Sequence, residues 1–201
     1  DLRMSRGLGD VYKRQWIRTS NGYSIYDYKT GKFDNDYKTT LEKLKIPSKN
    51  ILRIGKTPKN EFWAYDHSKI YILNIDNNSL KAYPLSIEKI SNISIGVQYI
   101  YVMYSNGVLY SINKQTSETR EITIPAIYKP LLEDHEPHVY TDQSESIWIY
   151  TYQNSLLLYK SNLTQQWEDI CLNSCNDIQY NRVQRILSLI HISEPTRHAQ
   201  I

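Results

Sequence analysis

One feature limits what this chain can fold into more than any other: four times along it, an aromatic residue opens an alternating segment. Trp16, Trp63, Tyr101 and Trp148 each begin a run in which apolar and polar residues take turns. A polar turn follows in every case, at Asn21-Gly22, His67-Ser68, Asn106-Gly107 and Gln153-Asn154. A second apolar stretch then ends near Asp27, Asn74, Asn113 and Lys160. After another turn, a third begins near Phe33, Leu80, Thr119 and Trp167. One more short strand precedes each anchor after the first, at Ile51-Leu52-Arg53-Ile54, Ile93-Ser94-Ile95 and His138-Val139-Tyr140. Alternation at period two is the signature of a half-buried strand, so each unit predicts four short antiparallel strands. The anchors are 47, 38 and 47 residues apart.

A unit of about 40–50 residues carrying four short strands has the period of a β-propeller blade. A lone four-stranded sheet leaves both faces wet, and stacking against neighbouring sheets is what buries them. The expectation is an all-β, partial β-propeller of about three to four four-stranded antiparallel blades, too few to close a ring. The anchors Trp16, Trp63, Tyr101 and Trp148 are expected on blade faces, packed against the next blade. Composition agrees: 18 tyrosines and four tryptophans stand against two phenylalanines, and aromatic and β-branched residues suit a pleated surface. Only Lys38 to Leu44 suggests a helical turn. No apolar run approaches the roughly 18 residues that cross a bilayer. Open sheet edges in such a fragment invite association.

The two ends carry a different signal. Residues 5–15 read SRGLGDVYKRQ and residues 187–197 read LSLIHISEPTR. A DNA sequence encoding the first has a reverse complement that encodes the second without a mismatch. The pairing extends outward, from Asp1–Met4 to His198–Ile201. These ends resemble the transposon mosaic-end adapter of tagmentation libraries followed by a sample index. Residues 1–15 and 187–201 are therefore expected to be adapter-derived and disordered, and residues 16–186 to be an internal segment of a longer protein. Without the ends the formal charge falls from +3 to about +1, and the case for binding nucleic acid loses its main support.

Residues 16–33 follow the pattern W-I-x-T-x-N-G-x-x-x-Y-D-x-x-T-G-x-F. This pattern resembles the two-component regulator propeller repeat, carried here by Trp16, Ile17, Thr19, Asn21, Gly22, Tyr26, Asp27, Thr30, Gly31 and Phe33. The fourth unit matches at Trp148, Ile149 and Thr151. The second and third depart, with Ala64 and Val102 after the anchor and no threonine in the matching place. The Trp-Asp of WD repeats, the paired glycines of kelch repeats and the Asp box of sialidase-like enzymes are missing.

The resemblance implies the periplasmic sensor region of a Bacteroides-type hybrid histidine kinase, on the periplasmic face of the inner membrane. Its implied ligand is a small oligosaccharide or another periplasmic molecule, and the full-length receptor is implied to be a homodimer that meets the membrane only through other segments. No cofactor and no catalysis are expected in this segment, the kinase chemistry lying elsewhere in the receptor. A propeller enzyme acting on polysaccharide and a protein-binding scaffold are the alternatives.

Within the segment, Tyr65, Tyr104 and Tyr152 follow the anchor in its strand and are the candidate ligand-stacking residues. Glu133, Asp134, His135, Glu136 and His138 have metal-ligand chemistry. With Pro137 among them, they read better as a solvated connection, and no metal site is expected. His67 reads as a surface residue, and Cys171 and Cys175 as either a local disulfide or two idle thiols. The triplets at Asn77, Asn92 and Asn162 fit the N-glycosylation pattern and carry little weight in the bacterial chain that the resemblance implies.

Overall fold

The computed structural model describes residues 8–9, 14–20, 22–47, 50–57, 61–133, 135–151 and 156–170. Among the described residues, sixteen strands form four antiparallel four-stranded sheets, each a simple meander in chain order. Sheet 1 contains β1 (Leu8–Gly9), β2 (Arg14–Thr19), β3 (Gly22–Asp27) and β4 (Lys32–Asp34). Sheet 2 contains β5 (Arg53–Lys56), β6 (Glu61–Tyr65), β7 (Lys69–Asn74) and β8 (Ser79–Pro84). Sheet 3 follows with β9 (Ile90–Ile95), β10 (Tyr99–Tyr104), β11 (Leu109–Asn113) and β12 (Thr119–Ile122). Sheet 4 has β13 (His138–Thr141), β14 (Ile147–Tyr150), β15 (Leu157–Lys160) and β16 (Trp167–Asp169). The four anchors thus stand in β2, β6, β10 and β14, the second strand of each sheet.

The chain divides into two compact units, residues 1–87 and 88–201. In the first, Trp16, Tyr23 and Ile25 of sheet 1 pack with Phe62, Ala64 and Leu73 of sheet 2. The Trp16 ring is fully buried, 5.4 Å from Phe62 and 6.2 Å from Tyr23. Tyr23 also bridges the two sheets, its hydroxyl accepting the Ile54 N–H at 3.0 Å. In the second unit, Tyr101, Met103 and Leu109 of sheet 3 meet Val139, Ile147, Ile149 and Leu158 of sheet 4. Trp16 and Tyr101 therefore each pack against the following sheet. Trp63 lies on the face of sheet 2 opposite Phe62 and Ala64 and closes over Gly55, where a Cβ would sit 2.1 Å from its ring. Trp148, half-buried, packs 4.4 Å from Tyr159 of its own sheet.

Sheet 1 begins earlier than the sequence reading expects. Leu8 pairs opposite Trp16 and Gly9 opposite Gln15, within the segment read as adapter. The physical reason is the open edge of β2, whose unpaired N–H and C=O groups accept any adjacent extended backbone.

Among the described residues, helix is confined to the connections. Asp36 caps α1 (Tyr37–Lys43) by accepting the Thr39 N–H at 3.2 Å, and Leu41 anchors it in the first core. A 3-10 turn at Ala126–Tyr128 leads into α2 (Lys129–Glu133), whose Leu132 is fully buried in the second core. Pro130 sits in the first turn of α2, where its missing N–H costs nothing. Among the described residues, no helix is long and apolar enough to cross a membrane.

Candidate functional site

The second unit holds a cavity of about 310 Å³ between sheets 3 and 4, and strand register explains its lining. Tyr101 stands opposite Ser111, which stands opposite Arg120, so these three form a row across one face of sheet 3. Tyr99 and Asn113 form the neighbouring row. On sheet 4, Ile147 stands opposite Lys160, on the face that carries Leu158 into the core. The cavity lies between these rows, at the end of the sheets where the β9–β10, β11–β12, β13–β14 and β15–β16 turns gather.

Glu145 is the polar centre of the site. Asp142 builds the β13–β14 turn, its Oδ1 accepting the N–H groups of Ser144 at 2.9 Å and Ser146 at 3.0 Å. That turn holds Glu145 in the left-handed region, φ 63°, and sends its carboxylate toward sheet 3. Oε1 accepts the Gln98 N–H at 2.6 Å, and Oε2 accepts the Tyr101 hydroxyl at 2.9 Å. The side chain is 9% exposed, and a buried charge needs such donors. A Cβ on Gly96 would lie 2.4 Å from Oε2, so glycine is what permits the approach. Burial, and then the Glu145 charge, push the Tyr101 phenol far above its ordinary range.

Two cations complete the lining. Arg120 donates from Nε and Nη2 to Glu118 at 2.8 and 3.1 Å. Lys160 is half-buried and hydrogen-bonds through Nζ to the neutral Gln165 Oε1. Burial lowers its pKa, the mark of an ammonium in a partly dry position.

Further bonds hold the same two sheets together at the inner strands. The Val139 N–H donates to Asn92 Oδ1 at 3.0 Å, and the Thr141 N–H to Ser94 Oγ at 2.9 Å. Each pair is 47 residues apart, as are Gln98 and Glu145. That is the Tyr101–Trp148 interval, so equivalent positions of consecutive repeats face one another. At the other edge, the Trp167 indole donates to the Thr123 carbonyl at 2.9 Å.

The anchor Tyr101 lines the cavity, and the candidate ligand-stacking residues Tyr65 and Tyr104 are not part of its lining. Tyr65 is buried in the first unit, stacked 6.3 Å from Trp63, and burial raises its phenol. Tyr104 is buried in the second unit, edge-on to Tyr110 at 5.8 Å. Tyr152, Asp134, Cys171 and Cys175 lie outside the described residues. His67 is exposed in the β6–β7 turn. The 133–138 segment spreads out: Glu133 ends α2, Glu136 is exposed at φ 45°, and His138 stacks 5.3 Å from Tyr150. Among the described residues, no three His, Cys, Asp or Glu side chains gather as a metal site. The sequence reading missed Glu145, Arg120 and Lys160. The signal for Glu145 was the repeat interval itself, which sets it opposite Gln98.

No family model matches the chain, and no curated protein matches it. Its fold, however, is found among solved structures. The chain is similar to the extracellular domain assigned to a hybrid two-component system of B. thetaiotaomicron, at 14% identity and a TM-score of 0.50, over 72% of this chain and 19% of that one. It is similar to PorZ, a surface component of the type-IX secretion system of Porphyromonas gingivalis, at 10% identity and a TM-score of 0.50, over 81% of this chain and 21% of that one. U3-55K matches at 8% identity and a TM-score of 0.53, over 84% of this chain and 53% of that one. The chain thus spans about a fifth of the length of the first two. At these identities the likeness is one of fold: the chain is an all-β, partial β-propeller made of four-stranded antiparallel blades.

Proposed function

We propose that this chain is part of the ligand-sensing β-propeller of a hybrid two-component sensor histidine kinase, held outside the cytoplasm and responding to a glycan-derived ligand. The observation that carries the reading is the pattern at residues 16–33, set in a fold shared with the extracellular domain of a hybrid two-component system. The site supports binding over catalysis. The Glu145 carboxylate is engaged by a backbone N–H and a phenol, so both its oxygens are already tied into the fold. In this reading, ligand must bind the two signalling states with different affinity for a signal to pass. The kinase domain and the dimer contacts belong to other parts of the receptor, and residues 1–15 and 187–201 are adapter-derived.

Long-read sequencing of the source genome across the position of Ile186 tests all of this together. Further propeller repeats followed by a membrane-spanning helix and a histidine kinase are expected, with genomic codons unlike those of the present ends. A stop codon soon after ring closure would overturn the sensor reading in favour of a propeller enzyme or a scaffold.

A further inference from the structure

We infer that the cavity between sheets 3 and 4 binds a sugar acid, a hydroxylated ring bearing one carboxylate, with that carboxylate received by Lys160. The inference rests on the reading of the chain as a ligand-binding module and assigns that module a site and a ligand class. Charge accounting across the lining leads to it. Glu118 is engaged with Arg120, and Glu145 with Gln98 and Tyr101. Lys160 stands apart, a half-buried ammonium whose hydrogen bond goes to a neutral amide. Burial lowers its pKa, and a negative charge placed beside it would offset that. A carboxylate entering the cavity supplies that charge and replaces the water lost on burial with a charge-assisted bond.

The rest of the lining suits hydroxyl groups. Ser111, Asn113, Asn162 and Gln165 offer short polar side chains, and Glu145 keeps lone pairs free after its two bonds. Tyr99 and Tyr101, with ring centroids 6.2 Å apart, supply the aromatic wall that the C–H faces of a sugar ring pack against. At about 310 Å³, the volume lies at the small end of ligand pockets, the scale of one or two sugar rings. A site so placed, between two adjacent blades, also couples occupancy to the distance between those blades.

The test uses the 201-residue chain in calorimetric titrations with galacturonate, galactose and acetate. Saturable galacturonate binding is expected, at least tenfold tighter than galactose, with Lys160→Gln losing about tenfold to a hundredfold, the range of a charge-assisted hydrogen bond. The unliganded melting temperature of Lys160→Gln reports whether its fold is kept. If it is not, Lys160→Met takes its place. Absence of saturable galacturonate binding, equal binding of galactose, or full binding by the folded variants would overturn the proposal. Acetate binding as tightly as galacturonate would overturn its sugar part. The two readings fail separately. Galacturonate binding by a gene with no kinase removes the sensor reading alone, and a kinase gene whose propeller ignores galacturonate removes this site alone.

Discussion

Tyr101→Phe removes one oxygen from the centre of the second unit and leaves the ring in place. The tyrosine is 4% exposed and belongs to the core shared by sheets 3 and 4, so phenylalanine keeps the packing. What disappears is the hydroxyl that donates to Glu145 Oε2 at 2.9 Å. Glu145 then keeps the Gln98 N–H as its donor from sheet 3 and remains a largely buried charge. A hydrogen bond to a charged group is worth about 1.5–3 kcal/mol. The substitution is therefore expected to cost roughly that much, lowering a urea midpoint by about 1 M. Fluorescence of Trp167, whose indole bridges to Thr123, reports the transition from the same pair of sheets. A double-mutant cycle with Glu145→Gln isolates the pairwise part. A Tyr101→Phe variant within about 0.5 kcal/mol of the parent, or a cycle with no coupling, would refute the view that this bond clips the two sheets together.

Gly96→Ala should also be damaging, because its Cβ would meet Glu145 Oε2 at 2.4 Å. A loss of about 1–3 kcal/mol is expected, and a parent-like melting curve would show that the carboxylate has room to retreat. Alkaline pH should weaken the second unit through Tyr101, whose folded pKa is raised by burial and then by Glu145. The unfolded phenol ionises near pH 10 while the folded one keeps its proton, so stability is intact below that pH and falls as pH rises above it. Circular dichroism melts from pH 9 to 11 check the sign, and a Tyr101→Phe variant with the parent's slope would contradict it. In the first unit, Leu41→Ala empties a fully buried position under α1. It should cost about 2–5 kcal/mol, measured by denaturant titration, and a loss below about 1 kcal/mol would mean that α1 is not part of that core.

The sheets were legible because strands write themselves at period two and the anchors recur at blade spacing. Trp16, Trp63, Tyr101 and Trp148 all fell in the second strand of a sheet, as the repeat required. The short helix α2 was not legible, since five residues around Pro130 complete too little of a helical period to register. The site was harder still. Arg120 and Lys160 look like ordinary exposed strand charges until register sets one across sheet 3 from Tyr101 and the other across sheet 4 from Ile147. Tyr65 and Tyr104 were candidates because each follows its anchor in the strand, and both are buried against aromatic neighbours. Sequence pattern tells which face a side chain takes, and it is silent on what stands across from that face.

The bond from Val139 to Asn92 carries a practical consequence for making this protein. Asn92-Ile93-Ser94 is also an acceptor triplet for N-linked glycosylation, which a eukaryotic secretory pathway reads before the chain has folded. The side chain that must slip between β9 and β13 and accept the Val139 N–H would then carry a branched oligosaccharide too large for that gap. Material secreted from yeast or mammalian cells should be retained or poorly folded, and peptide mapping should find the glycan at Asn92. Cytoplasmic or periplasmic expression in bacteria leaves the amide bare, and with it the seam between the two inner strands.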